Sequence, residues 1–225
     1  MKSKRTNRAA VFDLDGTLLD TLASIVAPCN ETLKRLGLPP FGKKEVRTFI
    51  GMGSRVFVEK MMAASGVEDP VMIQQAQDIY HELAPAMITH NVEPFEGVPD
   101  MLEQLQQMGL KLGVATNKNG KLTPRVLAHA FPDSPFSAVR GAQRFVPLKP
   151  HPQMLFLVMN KLKADLSSSF FIGDSDVDIE TGRAAGMHTI AVSWGFKPRE
   201  VLEALAPDCL ADTPAEVVDY IRRHM

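Results

Sequence analysis

Hydrophobic positions along this chain follow two rhythms. Continuous apolar, β-rich runs recur at residues 9–14, 111–116, 169–172 and 189–194, and between them apolar residues return every three or four positions. Uninterrupted runs suit strands covered on both faces, and a strand–helix–strand alternation calls for right-handed crossovers in a parallel sheet. Helical spacing predicts helices over 98–107, 123–130, 152–161, 177–185 and 214–222, with Gly109 and Gly186 placed as stops. The expected fold class is α/β, with a doubly wound, Rossmann-like parallel-sheet core.

Strand signals disappear between residues 20 and 94, where Leu22, Ile25, Val26, Leu33, Leu36, Val56, Val58, Met61 and Met62 keep a helical spacing. So long a stretch without a strand exceeds an ordinary crossover and predicts an inserted helical cap. The expected division is therefore a core from 1–19 and 95–225 and a cap from 20–94. Hinges are expected at 19–21 and 92–97, the second marked by Pro94 and Gly97. Pro85 should kink or end the last cap helix. Met61, Met62, Met72 and Met87 should pack the cap or line its inner face.

The 225 residues, 45% of them hydrophobic, can bury a full core. A formal charge of −1 argues against a general nucleic-acid binder, and the basic start of the chain, Lys2, Lys4, Arg5 and Arg8, reads as a solvated tail. No apolar signal region follows it, and no run approaches the ~20 residues that span a bilayer. The expected location is cytoplasmic, without membrane attachment. Cys29 and Cys209 lack metal-ligand spacing and are expected to be reduced thiols.

Four polar groups stand just after predicted strands: Asp13 and Asp15; Thr116 and Asn117; Lys149; and the GDSDVD run from Gly173 to Asp178. Ligands of open α/β sheets bind outside the carboxyl ends of the strands, so strand order would gather these residues into one crevice. Carboxylates with an ammonium, a hydroxyl and turn amides form a hard, ionic set that favours Mg²⁺ and a phosphate ester. At ~4 Å two unit charges interact by about 4 kcal/mol at an effective dielectric near 20, so a carboxylate cannot approach a phosphate dianion unaided. Mg²⁺ and Lys149 would remove that barrier. A carboxylate is already ionised at neutral pH and could attack phosphorus directly, while a second acid two residues on could protonate the leaving alcohol and later activate water. On a helix starting at the fourth group, Asp174 and Asp178 share a face and Asp176 points away.

The motifs DLDGTLLD, VATN, LKP and GDSDVD, in this order, resemble those of the haloacid dehalogenase superfamily of phosphohydrolases, over residues 8–221. The insertion resembles that superfamily's small helical cap. The stretches LPPFGKKEVRTFIGMGSRVFVEKM and PFEGVPDMLEQLQQMGLKLGVATNK are similar to phosphoglycolate phosphatases and their close relatives. The resemblance implies Asp13 as nucleophile and Asp15 as general acid/base. It implies Asp13, the Asp15 carbonyl and Asp174 as Mg²⁺ ligands, Thr116 and Asn117 on phosphate, Lys149 at the pentavalent centre, and Asp178 in support. Arg55 lies where some relatives place a cap arginine over the substrate; Lys118 is a further candidate.

The implied activity is a Mg²⁺-dependent phosphatase of small phosphomonoesters, phosphoglycolate-like substrates first, with a small phosphorylated metabolite as partner and a monomer or homodimer as assembly. β-Phosphoglucomutase, inorganic pyrophosphatase, nucleotidase and phosphonate hydrolase share the core. The last needs a cap lysine such as Lys43, Lys44 or Lys60. A phospho-aspartate signalling receiver is the alternative of another class, opposed by Asp15 and by the insertion. The GxG at Gly51 and Gly53 follows no strand and reads as a hinge or loop. The scattered histidines read as structural, and Trp194 as core or as a flank of the site.

Overall fold

The computed structural model describes residues 7–225; Lys2, Lys4 and Arg5 lie outside them. The chain runs β1 (Ala9–Phe12), β2 (Leu19–Asp20), α1 (Leu22–Arg35), α2 (Lys43–Phe49), α3 (Gly53–Ala64), α4 (Pro70–Met87) and β3 (Glu93–Pro94). It continues through α5 (Val98–Gln107), β4 (Lys111–Asn119), α6 (Thr123–Ala130), β5 (Phe136–Ala142) and α7 (Gln153–Leu162). The remainder is β6 (Phe170–Gly173), α8 (Asp176–Ala185), β7 (His188–Val192), α9 (Arg199–Ala204), β8 (Cys209–Ala211) and α10 (Pro214–Arg223).

Six strands form one parallel sheet in the order β5-β4-β1-β6-β7-β8. The two-residue period of a strand divides β1 between two cores. Ala10 and Phe12 face the side covered by α5, α6 and α10, while Ala9 and Val11 face α7. Phe12 is fully buried, as are Phe170 and Ile172 beside it on β6. These central strands therefore lack any polar alternation, the pattern that their sequence displays.

Chain direction reverses beside β1. After β1 the chain builds β4 and β5 on one side, then crosses by α7 to place β6, β7 and β8 on the other. A crevice opens at such a switch point above the carboxyl ends of β1, β4 and β6.

Helices α1 to α4 carry a core of their own, built from Ile25, Cys29, Leu33, Val46, Phe57, Met61, Met62 and Tyr80, with Met72 packed at its edge. Phe41, Phe49 and Phe57 meet edge to face, and Phe57 lies 5.2 Å from the Tyr80 ring centre. Pro85 sits inside the last turn of α4, two residues before the helix ends at Met87. This helical layer joins the sheet through β2 and β3, an antiparallel pair that registers Leu19 with Pro94 and Asp20 with Glu93.

The structure adds four strands to the sequence expectation: β5 and β8 at the edges of the parallel sheet, and the antiparallel pair β2 and β3. It also carries β4 past Thr116 as far as Asn119. Arg8 is not a loose end: its carbonyl accepts from Lys111 N at 3.1 Å and extends the β1–β4 pairing. No helix among the described residues is long and apolar enough to cross a membrane.

Candidate active site

The crevice collects Asp13, Asp15, Thr116, Asn117, Lys149, Asp174 and Asp178 around the ends of three adjacent strands. Asp13 follows β1 directly, its backbone N–H donating to the Ile172 carbonyl of β6 at 2.9 Å. One carboxylate oxygen from each of Asp13, Asp174 and Asp178 lies within 4.8 Å of the other two. Lys149 is 2% exposed and lies between two of them: Nζ donates to Asp178 Oδ1 at 2.6 Å and stands 2.8 Å from Asp13 Oδ1.

Asp178 is held by the start of α8. Ser175 caps the helix: its Oγ accepts from Asp178 N at 3.3 Å, and its N and Oγ donate to Asp178 Oδ2 at 3.1 and 2.6 Å. This reciprocal box satisfies donors that a helix N-terminus otherwise leaves open. Asp176, by contrast, is turned outward and pairs with Lys197 at 3.2 Å.

Asp174 is packed between two glycines. Gly16 adopts φ +87, and a Cβ there would come within 2.5 Å of Asp174 Oδ2; a Cβ on Gly195 would come within 2.2 Å of Asp174 Cβ. Only a residue without a side chain permits either approach. The carboxylate then accepts from Thr17 Oγ1 at 2.9 Å and from Phe196 N at 2.7 Å.

Burial and mutual repulsion govern the charges. Burial is the largest influence on Asp13 and pushes its carboxyl up to about 6, with the Lys149 ammonium pulling against it and Asp178 adding to it. Asp174 is pushed up to about 8, first by burial and then by Asp178 and Asp13, against the Phe196 and Thr17 hydrogen bonds. Burial alone would lower the Lys149 ammonium, but the Asp13 and Asp178 carboxylates outweigh it and hold Lys149 protonated.

Three carboxylates thus face one ammonium, and Asp13 Oδ1 is buried without an aligned hydrogen bond. An oxygen-only donor set with surplus negative charge fits a hard divalent cation, and neither His nor Cys joins the cluster. The three carboxylates form an acidic triad able to hold a metal ion.

Asn117 stands beside these carboxylates and ties three chain segments together. Its Nδ2 donates to the Gly51 and Lys149 carbonyls at 2.9 and 3.0 Å, and its Oδ1 accepts from Lys149 N at 2.9 Å. Thr116 is 2% exposed, and its Oγ1 accepts from Lys118 N at 3.3 Å. Lys118 reaches across to Asp15, Nζ to Oδ1 at 2.9 Å, with both side chains largely buried. The sequence offers Lys118 as a further candidate, two residues beyond the expected end of the strand at Thr116. The extension of β4 is what delivers Lys118 to the crevice.

Arg55 is not brought to this group. Its side chain is 76% exposed and stands 3.7 Å from Glu59, one turn along α3. Lys43, Lys44 and Lys60 are exposed as well, and none lines the cavity above the carboxylates.

That cavity has a volume of about 330 Å³. Its floor is ionic, with Asp13, Asp15, Thr116, Asn117, Lys118 and Asp174, and its roof is the underside of the helical layer, with Ile25, Phe57, Tyr80, Ala84 and Ile88. Burial, then the charges of Cys29 and Asp15, hold the Tyr80 phenol well above its ordinary range, so it stays neutral.

The sequence profile of the haloacid dehalogenase-like hydrolases matches residues 10–192, a span that includes every carboxylate of the triad. The chain belongs to this family. Among curated relatives, a phosphoglycolate phosphatase of Pectobacterium atrosepticum is 32% identical over 215 residues, covering 95% of this chain and 92% of that protein. An N-acetylmuramic acid 6-phosphate phosphatase of Pseudomonas aeruginosa is 31% identical over 219 residues, with 96% and 95% covered. A solved structure from Lactobacillus delbrueckii subsp. bulgaricus superposes with a TM-score of 0.90 at 26% identity, covering 96% of this chain and 98% of that one. The likeness spans the sheet and the helical layer alike, so this haloacid dehalogenase-like hydrolase shares the family's α/β architecture over almost its whole length.

Proposed function

We propose that this chain is a Mg²⁺-dependent phosphatase that hydrolyses small phosphomonoesters through an aspartyl-phosphate on Asp13, with phosphoglycolate-like esters as the first substrates to test. The observation that carries the reading is the Asp13–Lys149–Asp178 contact beside Asp174, at the switch point of the sheet. Relatives named phosphoglycolate phosphatase and N-acetylmuramic acid 6-phosphate phosphatase support the substrate class. Asp13, Asp174 and the Asp15 backbone carbonyl would hold Mg²⁺, which supplies positive charge against the phosphate oxygens.

In this reading the Asp13 carboxylate attacks phosphorus, an acyl phosphate bond forms, and the bond from phosphorus to the alcohol oxygen breaks. Asp15 gives its proton to that oxygen, then accepts one from the water that attacks phosphorus and releases Asp13. Lys149, held between Asp13 and Asp178, neutralises charge on the transferring group, and Thr116 with Asn117 orients its oxygens. Residues 20–94 serve as a cap that closes over the ester and excludes water other than the reacting one. Such an enzyme would work in the cytoplasm on soluble phosphorylated metabolites.

Asp13→Asn keeps the size of the side chain and removes the nucleophile. Phosphate release from a panel of phosphomonoesters that includes phosphoglycolate, assayed with Mg²⁺, is expected from the wild type. It should vanish in folded Asp13→Asn, and turnover by that variant at the wild-type rate would refute the mechanism.

A further inference from the structure

Arg47 belongs to α2, in the helical layer, yet its guanidinium ends on the core. Nε donates to the Phe196 carbonyl at 2.5 Å and Nη2 donates to the adjacent Gly195 carbonyl. The guanidinium carbon stands 6.0 Å from the centre of the Phe196 ring. On its other side the same loop holds the acidic triad, because Phe196 N donates to Asp174 Oδ2 at 2.7 Å. Helical layer, loop and carboxylate therefore form one chain of hydrogen bonds.

This chain has little slack. Gly195 is so close that a Cβ would meet Asp174 Cβ at 2.2 Å and the Gly16 carbonyl at 2.4 Å. Trp194 Nε1 donates to the Thr17 carbonyl at 3.1 Å, which pins the start of the loop to the turn after β1. A shift of the loop must therefore be felt by Asp174. The opposite wall of the crevice is tied to the helical layer as well, through the bond from Asn117 Nδ2 to the Gly51 carbonyl at 2.9 Å. The cavity is lined by both the layer and the core, and parting the two on the Asp174 side breaks the Arg47 bonds.

The geometry points to Arg47 as a positioning residue that couples closure of the helical layer to the seating of Asp174. It rests on the metal-dependent reading above. The planar fork of an arginine suits two successive carbonyls, whereas a lysine offers one compact point charge and can hold only one of them well. Closure and cation binding then support each other, and the coupling is reciprocal: whatever factor closure adds to the affinity for Mg²⁺, Mg²⁺ adds to closure.

The test titrates Mg²⁺ alone into wild type, Arg47→Ala and Arg47→Lys by calorimetry. It also follows hydrogen exchange at the amides of residues 193–197 and of α2, with and without Mg²⁺. We expect Mg²⁺ affinity to fall about tenfold in Arg47→Ala, within the usual range of coupling between sites, and about threefold in Arg47→Lys. The Phe196 amide should exchange faster in Arg47→Ala, while amides of β1 and β6 keep their rates. Mg²⁺ should slow exchange in α2 of the wild type and lose that effect in Arg47→Ala.

Folded variants with wild-type Mg²⁺ affinity and wild-type exchange at Phe196 would overturn the inference. So would exchange that rises equally in β1 and β6, which marks a general loss of stability. If Arg47→Ala does not fold, Arg47→Lys decides alone. A wild type that binds no Mg²⁺ would sink the metal-dependent reading itself, a result distinguishable from failure of the latch.

Discussion

Asp208 shows how a single side chain outside the crevice ties stability to pH. Burial pushes its carboxyl up, but hydrogen bonds from Thr189 N at 2.7 Å and Thr189 Oγ1 at 2.8 Å prevail and hold it below the usual carboxylate range. A group lowered on folding contributes stability that is fully present above its unfolded value of about 3.9 and is lost as pH falls through the folded value. Asp208→Asn should therefore lower the melting temperature at pH 7, with the gap to wild type closing as pH drops below about 4. Thermal unfolding across that range checks it. At the same scale, Asp13, Asp15, Thr116, Asn117, Lys149, Asp174 and Asp178 are legible in the sequence, since each of these polar residues breaks or follows an apolar or turn signal. Arg47 is not: on paper it is an ordinary basic residue, and only tertiary placement gives it its acceptors, while Lys118 is a candidate whose partner Asp15 the sequence does not reveal. Arg55 is named from a family position, which does not say which way that turn of α3 faces, and its side chain stands exposed beside Glu59.

Elements differ in how plainly they announce themselves. β1 and β6 are buried on both faces and read as unbroken apolar runs, whereas β5 mixes buried and half-buried residues at one sheet edge and β8 has three residues at the other. An edge strand needs less apolar surface, so its sequence signal is weaker. Helix α8 shows a further link between local structure and the site, since the same box that starts the helix aims Asp178 at Lys149. Ser175→Ala removes the cap and should cost about 1 kcal/mol. In a chain of this size that lowers the melting temperature by roughly 2–4 °C. Calorimetry measures the shift, and activity should fall further than so small a loss of stability explains.

On the scale of the whole molecule, the sheet and the helical layer meet at one cavity with unlike walls. The sheet supplies ionic groups at strand ends, and the helical layer supplies Ile25, Phe57, Tyr80, Ala84 and Ile88. In the proposed phosphatase, chemistry belongs to the first wall and selection to the second. Phe57→Ala trims the roof without touching the carboxylates, and it should raise KM for the preferred ester by about tenfold, equivalent to about 1.4 kcal/mol, while kcat changes less. Steady-state kinetics across the ester panel tests this, and a fall in kcat at unchanged KM would contradict the division. The helical insertion itself is visible in the sequence through its spacing of apolar residues. Which residues of α1, α3 and α4 turn toward the floor is not, because that depends on how the helices pack on one another.

The β2–β3 pair has a consequence for exchange of the insertion. The strand at Leu19–Asp20 and the one returning at Glu93–Pro94 are hydrogen-bonded neighbours, so the segment between them leaves and rejoins the chain of the core through a single narrow stalk. A segment of different length or composition can be grafted onto that stalk without changing the register of the six parallel strands. An exchange of the piece on that stalk would leave Asp13, Asp15, Lys149 and Asp178 in place and would have to rebuild the Arg47 bonds to the loop behind Asp174.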